Sequence, residues 1–212
     1  MNDQRFNKVS IVDLDTGNIN SIINMLKKIG IDSKSYSDPN EVKDSDILII
    51  PGVGSFDYAM SRINKLGWNK IIQEKANRKG HILGICLGMQ LLCQSSEEGE
   101  LEGLGLIPGK FKKFSQGEIS IKIPHMGWNL VKYRNSFRNQ INSKNDQDRF
   151  YFVHSYRYVH KTNSYIYAYT EYGEKFASII GKKNIIGFQF HPEKSHVNGM
   201  NLLNSYFKSI II

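Results

Sequence analysis

The chain has 212 residues, is 40% hydrophobic and 23% charged, and carries a net charge of +8 at pH 7. That length predicts one domain over 1–212 with a substantial core, on a scale of roughly 100–200 residues per domain. No run approaches the roughly 18 uninterrupted apolar residues of a membrane span. The polar start, residues 1–8, lacks a signal-peptide core, so export is not expected. The positive charge does not read as a nucleic-acid surface: lysines outnumber arginines 21 to 7 and are spread along the chain. No helix-turn-helix, zinc or RNA-binding signature accompanies them. Two cysteines, Cys86 and Cys93, argue against a disulfide scaffold. On one helix they would stand about 10 Å apart along its axis, beyond disulfide reach, which suits a reducing cytoplasm.

In chain order, Val9 to Leu14 predicts an apolar strand that turns into a helix over Asn18 to Ile29, stopped by Gly30. A short strand near Ser33 to Tyr36 follows, then a strand over Asp46 to Ile50 and a helix from about Ser55 to Lys65. A further helix, Trp68 to Arg78, leads into the strand His81 to Ile85 and the apolar helix Leu87 to Cys93. Such alternation predicts βα units around a parallel sheet, with a site at the carboxyl ends of its strands. From Leu106 to Phe190 short strand-like segments alternate with Gly, Asn and Lys: Phe111–Phe114, Asn129–Tyr133, Phe150–Val153, Ile166–Thr170 and Phe176–Ile180. They read as mixed or antiparallel sheet added to the core. Asn135 to Asp148 is polar and reads as a surface loop, and Met200 to Ile210 as a helix covering one face. The predicted class is α/β, three layers, with a mostly parallel central sheet, helices on both faces and added antiparallel strands.

The chemistry concentrates in three segments. Cys86 lies in Gly84-Ile85-Cys86-Leu87-Gly88 between strand and helix, the cysteine version of a nucleophile elbow. Glycines permit the close approach and the strained backbone, and unpaired N–H groups at a helix start favour thiolate. Cys93, inside an apolar run, has the character of a buried structural cysteine. The strand Asn184 to Phe190 ends in His191-Pro192-Glu193, 105 residues after Cys86. Proline keeps His191 extended, and residues two apart in an extended chain share a side. Glu193 is thus placed to orient the imidazole in a Cys–His–Glu relay. Pro51-Gly52-Val53-Gly54 follows the strand at Asp46–Ile50, and its peptide N–H groups are candidates for an oxyanion, beside that of Leu87.

Gly-Ile-Cys-Leu-Gly-Met-Gln (84–90), Phe-His-Pro-Glu-Lys-Ser (190–195) and Pro-Gly-Val-Gly (51–54) resemble a class I, triad-type glutamine amidotransferase. Asp13 to Ser21, Pro124-His-Met-Gly-Trp-Asn129 and Tyr151-Phe-Val-His-Ser-Tyr156 narrow the resemblance to the glutaminase subunit of imidazole glycerol phosphate synthase. It runs through almost the whole chain, and the string 124–129 is its most specific part. Leu14 and Asp15 depart from it, standing where the family usually has Tyr and Gly; Asp tolerates a left-handed backbone, so the turn is expected to survive. The resemblance implies a Cys86 nucleophile, His191 as proton shuttle and Glu193 as its orienter, with no cofactor and no metal. It implies that Gln90 and the backbone of His154, Ser155 and Tyr156 hold glutamine. It also implies that Asn18, Trp128, Tyr151 and Lys194 face a (β/α)8-barrel cyclase subunit in a heterodimer. There ammonia would meet a phosphorylated ribulosyl aminoimidazole intermediate in histidine synthesis.

Other readings stay open at this level. Similar glutaminase subunits are paralogues that supply ammonia for amidation of a surface-polysaccharide sugar, and Ser21–Gly30 and Glu193–His196 look somewhat like them. A cysteine peptidase or γ-glutamyl hydrolase would use a related elbow but need an open cleft and no partner. A catalytically silent binding module fits the intact Cys–His–Glu set least.

Overall fold

The computed structural model describes residues 9–42, 47–115 and 121–210. Asp46, the start of one predicted strand, and the polar residues 1–8 lie outside them. The first half is built from β1 (Val9–Val12), α1 (Ile19–Lys28), β2 (Ser33–Tyr36), β3 (Ile47–Ile50), α2 (Phe56–Leu66), α3 (Trp68–Asn77), β4 (His81–Ile85) and α4 (Leu87–Leu91). The second half adds β5 (Ser95–Ser96), β6 (Lys110–Lys113), β7 (His125–Tyr133), α5 (Asn135–Gln140), β8 (Gln147–His154) and β9 (Tyr156–Val159). It closes with β10 (Ile166–Tyr172), β11 (Glu174–Lys182), β12 (Ile185–Phe188) and α6 (His196–Ile210).

Period-two alternation on strands buried on both faces sorts the core into two layers. Ile47, Ile49, Leu83, Ile85, Ile186 and Phe188 pack on one face with Ile22 and Leu26 of α1 and Leu203 and Phe207 of α6. Leu48, Ile50, Ile82 and Ile185 pack on the other with Phe56 and Ile63 of α2, Trp68 of α3 and Met89 of α4. The sheet order is β2-β1-β3-β4-β12-β11-β10-β7-β8, and β5, β6 and β9 branch from it. From β2 to β12 neighbours run parallel; from β12 through β11, β10 and β7 to β8 they run antiparallel. The last strand in the chain thus completes the parallel core beside β4, and the added antiparallel strands continue from its far edge.

The structure corrects several boundaries. β7, β8, β10 and β11 are longer than predicted, because polar residues on their solvent sides interrupt the apolar signal without interrupting the ladder. β9 was not predicted at all: Tyr-Arg-Tyr-Val pairs with β6 over four residues but carries only one buried side chain, Tyr158. α6 begins at His196, four residues early. α4 ends at Leu91, and Cys93 closes a tighter turn through its N–H to the Gln90 carbonyl at 3.0 Å.

The predicted surface loop 135–148 instead contains α5 and the first residues of β8. Phe137 and Ile141 lie four residues apart on one helical face and are buried in the layer that holds Phe150. The polar residues around them mask that pair in the sequence. Phe137→Ala is expected to destabilise the protein by about 3–5 kcal/mol in chemical denaturation, as for other buried phenylalanines. A change under about 0.5 kcal/mol, typical of an exposed site, would return this segment to a loop.

Candidate active site

The carboxyl ends of β3, β4 and β12 meet at one point, where the parallel register sets Ile50 opposite Gly84 and Ile85 opposite Phe188. Cys86 follows β4 with φ 54° and ψ −108°, a left-handed backbone rare for a side-chain-bearing residue. Its N–H is held by the Phe188 carbonyl at 2.7 Å. The turn is tight because two glycines allow it: a Cβ on Gly88 would fall 1.8 Å from the Ile50 carbonyl oxygen, and one on Gly84 2.5 Å from that of Gly88. α4 has only five residues, so its dipole is weaker than the sequence reading supposed. What favours an anion at the elbow is the local cluster of N–H groups that a helix start leaves unpaired.

His191 sits just beyond β12, 2% exposed, with extended φ −101° and ψ 97°. Its Nδ1 donates to Glu193 Oε1 at 2.7 Å. The predicted route to that contact needs correction: Pro192–Lys194 forms a 3-10 turn rather than an extended chain. The turn, not strand alternation, swings the carboxylate back to the ring. The backbone of His191 is pinned on both sides, its N–H to the Tyr151 carbonyl at 2.9 Å and its carbonyl accepting from Ser195 Oγ at 2.6 Å. Ser195 Oγ in turn accepts from the Tyr151 N–H at 3.0 Å.

The thiol stands between two neighbours. Cys86 Sγ lies 3.6 Å from the Val153 carbonyl oxygen, while His191 Nε2, aimed away from Glu193, closes no hydrogen bond of its own. Yet sulfur and ring interact. Burial works against the imidazolium, but the charge and hydrogen-bonding capacity of Cys86, then those of Glu193, push His191 up to about 10. Sulfur's long, soft contacts reconcile the two observations: the pair is within electrostatic reach, short of a formed bond, as is usual before substrate binds. Cys93 is fully buried and free, and burial drives its thiol pKa far upward, leaving it inert.

A cavity of about 280 Å³ opens over Cys86, lined by Val53, Leu87, Gln90, Val153, His154, Ser155 and Tyr156 among others. Gly52 lies behind it, where a Cβ would touch Leu87 Cβ at 2.9 Å. Gln90 is buried, and its Oε1 accepts from Ser96 Oγ at 3.2 Å. The sequence reading missed Glu98, which also lines the cavity, has a buried Oε2 with no partner, and is raised by burial, with Asp57 adding and a Phe56 backbone hydrogen bond opposing. One acid among four in a polar stretch, with Glu97, Glu100 and Glu102, gives no signal before the chain is folded. Ser195 was also missed, although it ends the string that contains His191.

Of the residues expected to face a partner, Trp128, Tyr151 and Lys194 lie together, and Asn18 is the N-cap of α1, accepting from the Ser21 N–H at 3.3 Å. Trp128, 40% exposed, is the cross-strand neighbour of Tyr151 in the β7–β8 ladder. Their rings meet edge to face at 6.3 Å, and Lys194 Nζ lies 6.0 Å over Tyr151. The unusual first loop keeps its turn: Asp15 has φ 60°, its N–H bonds Asp13 Oδ1 at 3.0 Å, and its carboxylate pairs with Arg62. Among the described residues there is no cluster that could hold a metal ion, and no helix is long and apolar enough to cross a membrane.

Comparison with known proteins places this geometry in a family. The family model "Glutamine amidotransferase class-I" matches residues 10–209. The chain is 46% identical to "Imidazole glycerol phosphate synthase subunit HisH 2" of Methanococcus maripaludis, over 94% of this chain and 98% of that protein. It is 38% identical to the protein of the same name from Pseudomonas aeruginosa, over 95% and 100%. A solved structure described as a glutamine amidotransferase superposes with a TM-score of 0.74 at 15% identity, covering 95% of this chain and 97% of that one. The chain therefore belongs to the class-I glutamine amidotransferases and, within them, to the family of HisH subunits of imidazole glycerol phosphate synthase.

Because the folded His191 pKa lies above the ordinary 6.5, the stabilisation from its charged form is complete below pH 6.5 and is lost as pH rises toward 10. NMR titration is expected to find the His191 ring protonated at pH 8 and its midpoint lowered by at least about one unit in Cys86→Ala. A wild-type midpoint near 6.5 would remove the electrostatic link between the two groups.

Proposed function

We propose that this chain, as one amidotransferase domain, hydrolyses glutamine and hands the ammonia to a (β/α)8-barrel cyclase subunit, the pair forming an imidazole glycerol phosphate synthase in the cytoplasm. The observation that carries this is the grouping of Cys86, His191 and Glu193 beneath a cavity of about 280 Å³. That volume falls just below the roughly 300–1,000 Å³ of pockets for drug-sized ligands and suits one free amino acid better than a peptide segment.

Cys86 thiolate attacks the side-chain amide carbon of glutamine, forming a C–S bond and a tetrahedral oxyanion. The N–H of Leu87 and the Gly52–Val53 peptide are the donors for that oxyanion. The His191 imidazolium gives its Nε2 proton to the amide nitrogen, the C–N bond breaks, and ammonia leaves. The now neutral Nε2 takes a proton from water as its oxygen attacks the thioester; the C–S bond breaks, and glutamate is released with thiolate and imidazolium restored. Glu193 fixes the ring with Nε2 toward the substrate throughout. Gln90 and the His154–Ser155–Tyr156 backbone hold the substrate, and Glu98, whose buried Oε2 has no partner, is the natural partner for its ammonium group.

Free ammonia would protonate in water and lose its nucleophilicity, so the product needs a shielded route into an acceptor enzyme. Trp128, Tyr151 and Lys194, with Asn18, form the docking side, and Trp and Tyr suit anchoring there. A second reading, ammonia supply for a surface-polysaccharide sugar, rests on the strings Ser21–Gly30 and Glu193–His196. Stimulation by a sugar-amidating partner, with no response to the ribulosyl aminoimidazole acceptor, would select it.

Cys86→Ala is expected to lower glutamine hydrolysis at least about 1,000-fold, as loss of a nucleophile does elsewhere. Wild-type subunit alone is expected to be slow and to accelerate strongly with barrel subunit and acceptor present. Undiminished hydrolysis by the alanine variant would overturn the assignment, and full activity of the isolated subunit would overturn the gating.

A further inference from the structure

Behind the Val153–Tyr156 corner runs a hydrogen-bond chain that the triad does not use. His154 Nδ1 lies 2.8 Å from the Tyr156 carbonyl oxygen; a carbonyl only accepts, so Nδ1 carries the proton. Burial lowers the His154 pKa to about 3, with a smaller opposing pull from the Tyr156 hydrogen bond. The ring is therefore neutral, and its Nε2 is an acceptor. His125 Nδ1 stands 3.0 Å from that nitrogen and must donate to it. Burial likewise lowers His125 to about 4, so its Nε2 accepts, here from Asn129 Nδ2 at 3.2 Å. The Asn129 amide is oriented in turn: its Oδ1 accepts the Leu130 N–H at 2.8 Å, and its Nδ2 also donates to the Glu171 carbonyl at 2.9 Å. All donors point one way, from Asn129 through His125 and His154 to the Tyr156 carbonyl.

The rings have little room to turn. His125 is clamped between Phe152 and Tyr172, stacked at 4.8 and 4.0 Å, and both histidines are at most 5% exposed. The chain ends where the site begins: Val153 accepts the Cys86 contact, and Val153, Ser155 and Tyr156 line the cavity.

Resting on the glutaminase reading above, we infer that His125 is a positioning residue: through the fixed tautomer of His154 it holds the Val153–Tyr156 corner in the shape that receives glutamine. His125 touches no reacting atom, so it acts on substrate binding and not on the thiol.

The test uses the complex with the barrel subunit and its acceptor. His125→Phe keeps the aromatic clamp and deletes the donor, and is expected to raise KM for glutamine roughly tenfold, the scale of one lost hydrogen bond. kcat at saturating glutamine and the iodoacetamide alkylation rate of Cys86 should stay within about twofold. His125→Asn can put an amide N–H near the position of Nδ1 and is expected to recover most of the KM. Nitrogen NMR of the wild type at pH 7 should show both rings neutral with the proton on Nδ1, a result that does not depend on any variant folding. An unchanged KM in His125→Phe, an asparagine variant no better than phenylalanine, or a proton on His154 Nε2 would each overturn the relay. Failure of the glutaminase reading itself would show separately, as hydrolysis surviving in Cys86→Ala.

Discussion

The parallel pairing of β4 with β12 is the constraint from which the site follows. Gly84 lies opposite Gly187 and Ile85 opposite Phe188, and the ladder ends in the bond from the Cys86 N–H to the Phe188 carbonyl. That register sets Cys86 at the tip of one strand and His191 just past the tip of the next, though 105 residues separate them in sequence. Because strand side chains alternate, a slip of one residue would exchange the two buried faces of the slipped strand. The packing of Ile186 and Phe188 on one side and Ile185 on the other therefore protects the placement of Cys86 beside His191 as well as the core.

A second constraint comes from the antiparallel half of the sheet. Tyr151 in β8 grips the His191 backbone directly and again through Ser195 Oγ, while its ring lies in the exposed group with Trp128 and Lys194. One residue thus belongs both to the outer surface and to the frame of His191. β7, its ladder partner, shows the same division by pleat. Met126, Trp128 and Leu130 face outward and are exposed, whereas His125 and Asn129 face inward into the hydrogen-bond chain behind the Val153–Tyr156 corner.

The motif-bearing parts of this arrangement were legible in the sequence, because their signals are local and chemical. An elbow cysteine between strand and helix, a His-Pro-Glu at a strand end and a Pro-Gly-Val-Gly loop each carry their own geometry, and the structure brings them to one point. Elements whose identity depends on distant neighbours were not legible. β9 has a single buried side chain and exists because β6 and β11 offer it edges, and α5 with its C-cap hides two core residues, Phe137 and Ile141, among polar ones. The His191–Glu193 contact was expected, but through an extended chain; the 3-10 turn after Pro192 achieves it instead. Glu98 was invisible because its meaning lies in burial, and the histidine chain because His125 and His154 meet only across the β7–β8 ladder.

The central claim, that Cys86 and not Cys93 is the thiol paired with His191 for attack on glutamine, is tested most directly by covalent trapping. Protein and barrel partner would be incubated with a diazoketone analogue of glutamine, digested, and mapped by mass spectrometry. The account predicts one adduct, on the peptide bearing Cys86, formed far more slowly in His191→Ala and suppressed by excess glutamine. An adduct on Cys93, or labelling of Cys86 that is indifferent to both His191 and glutamine, would contradict it.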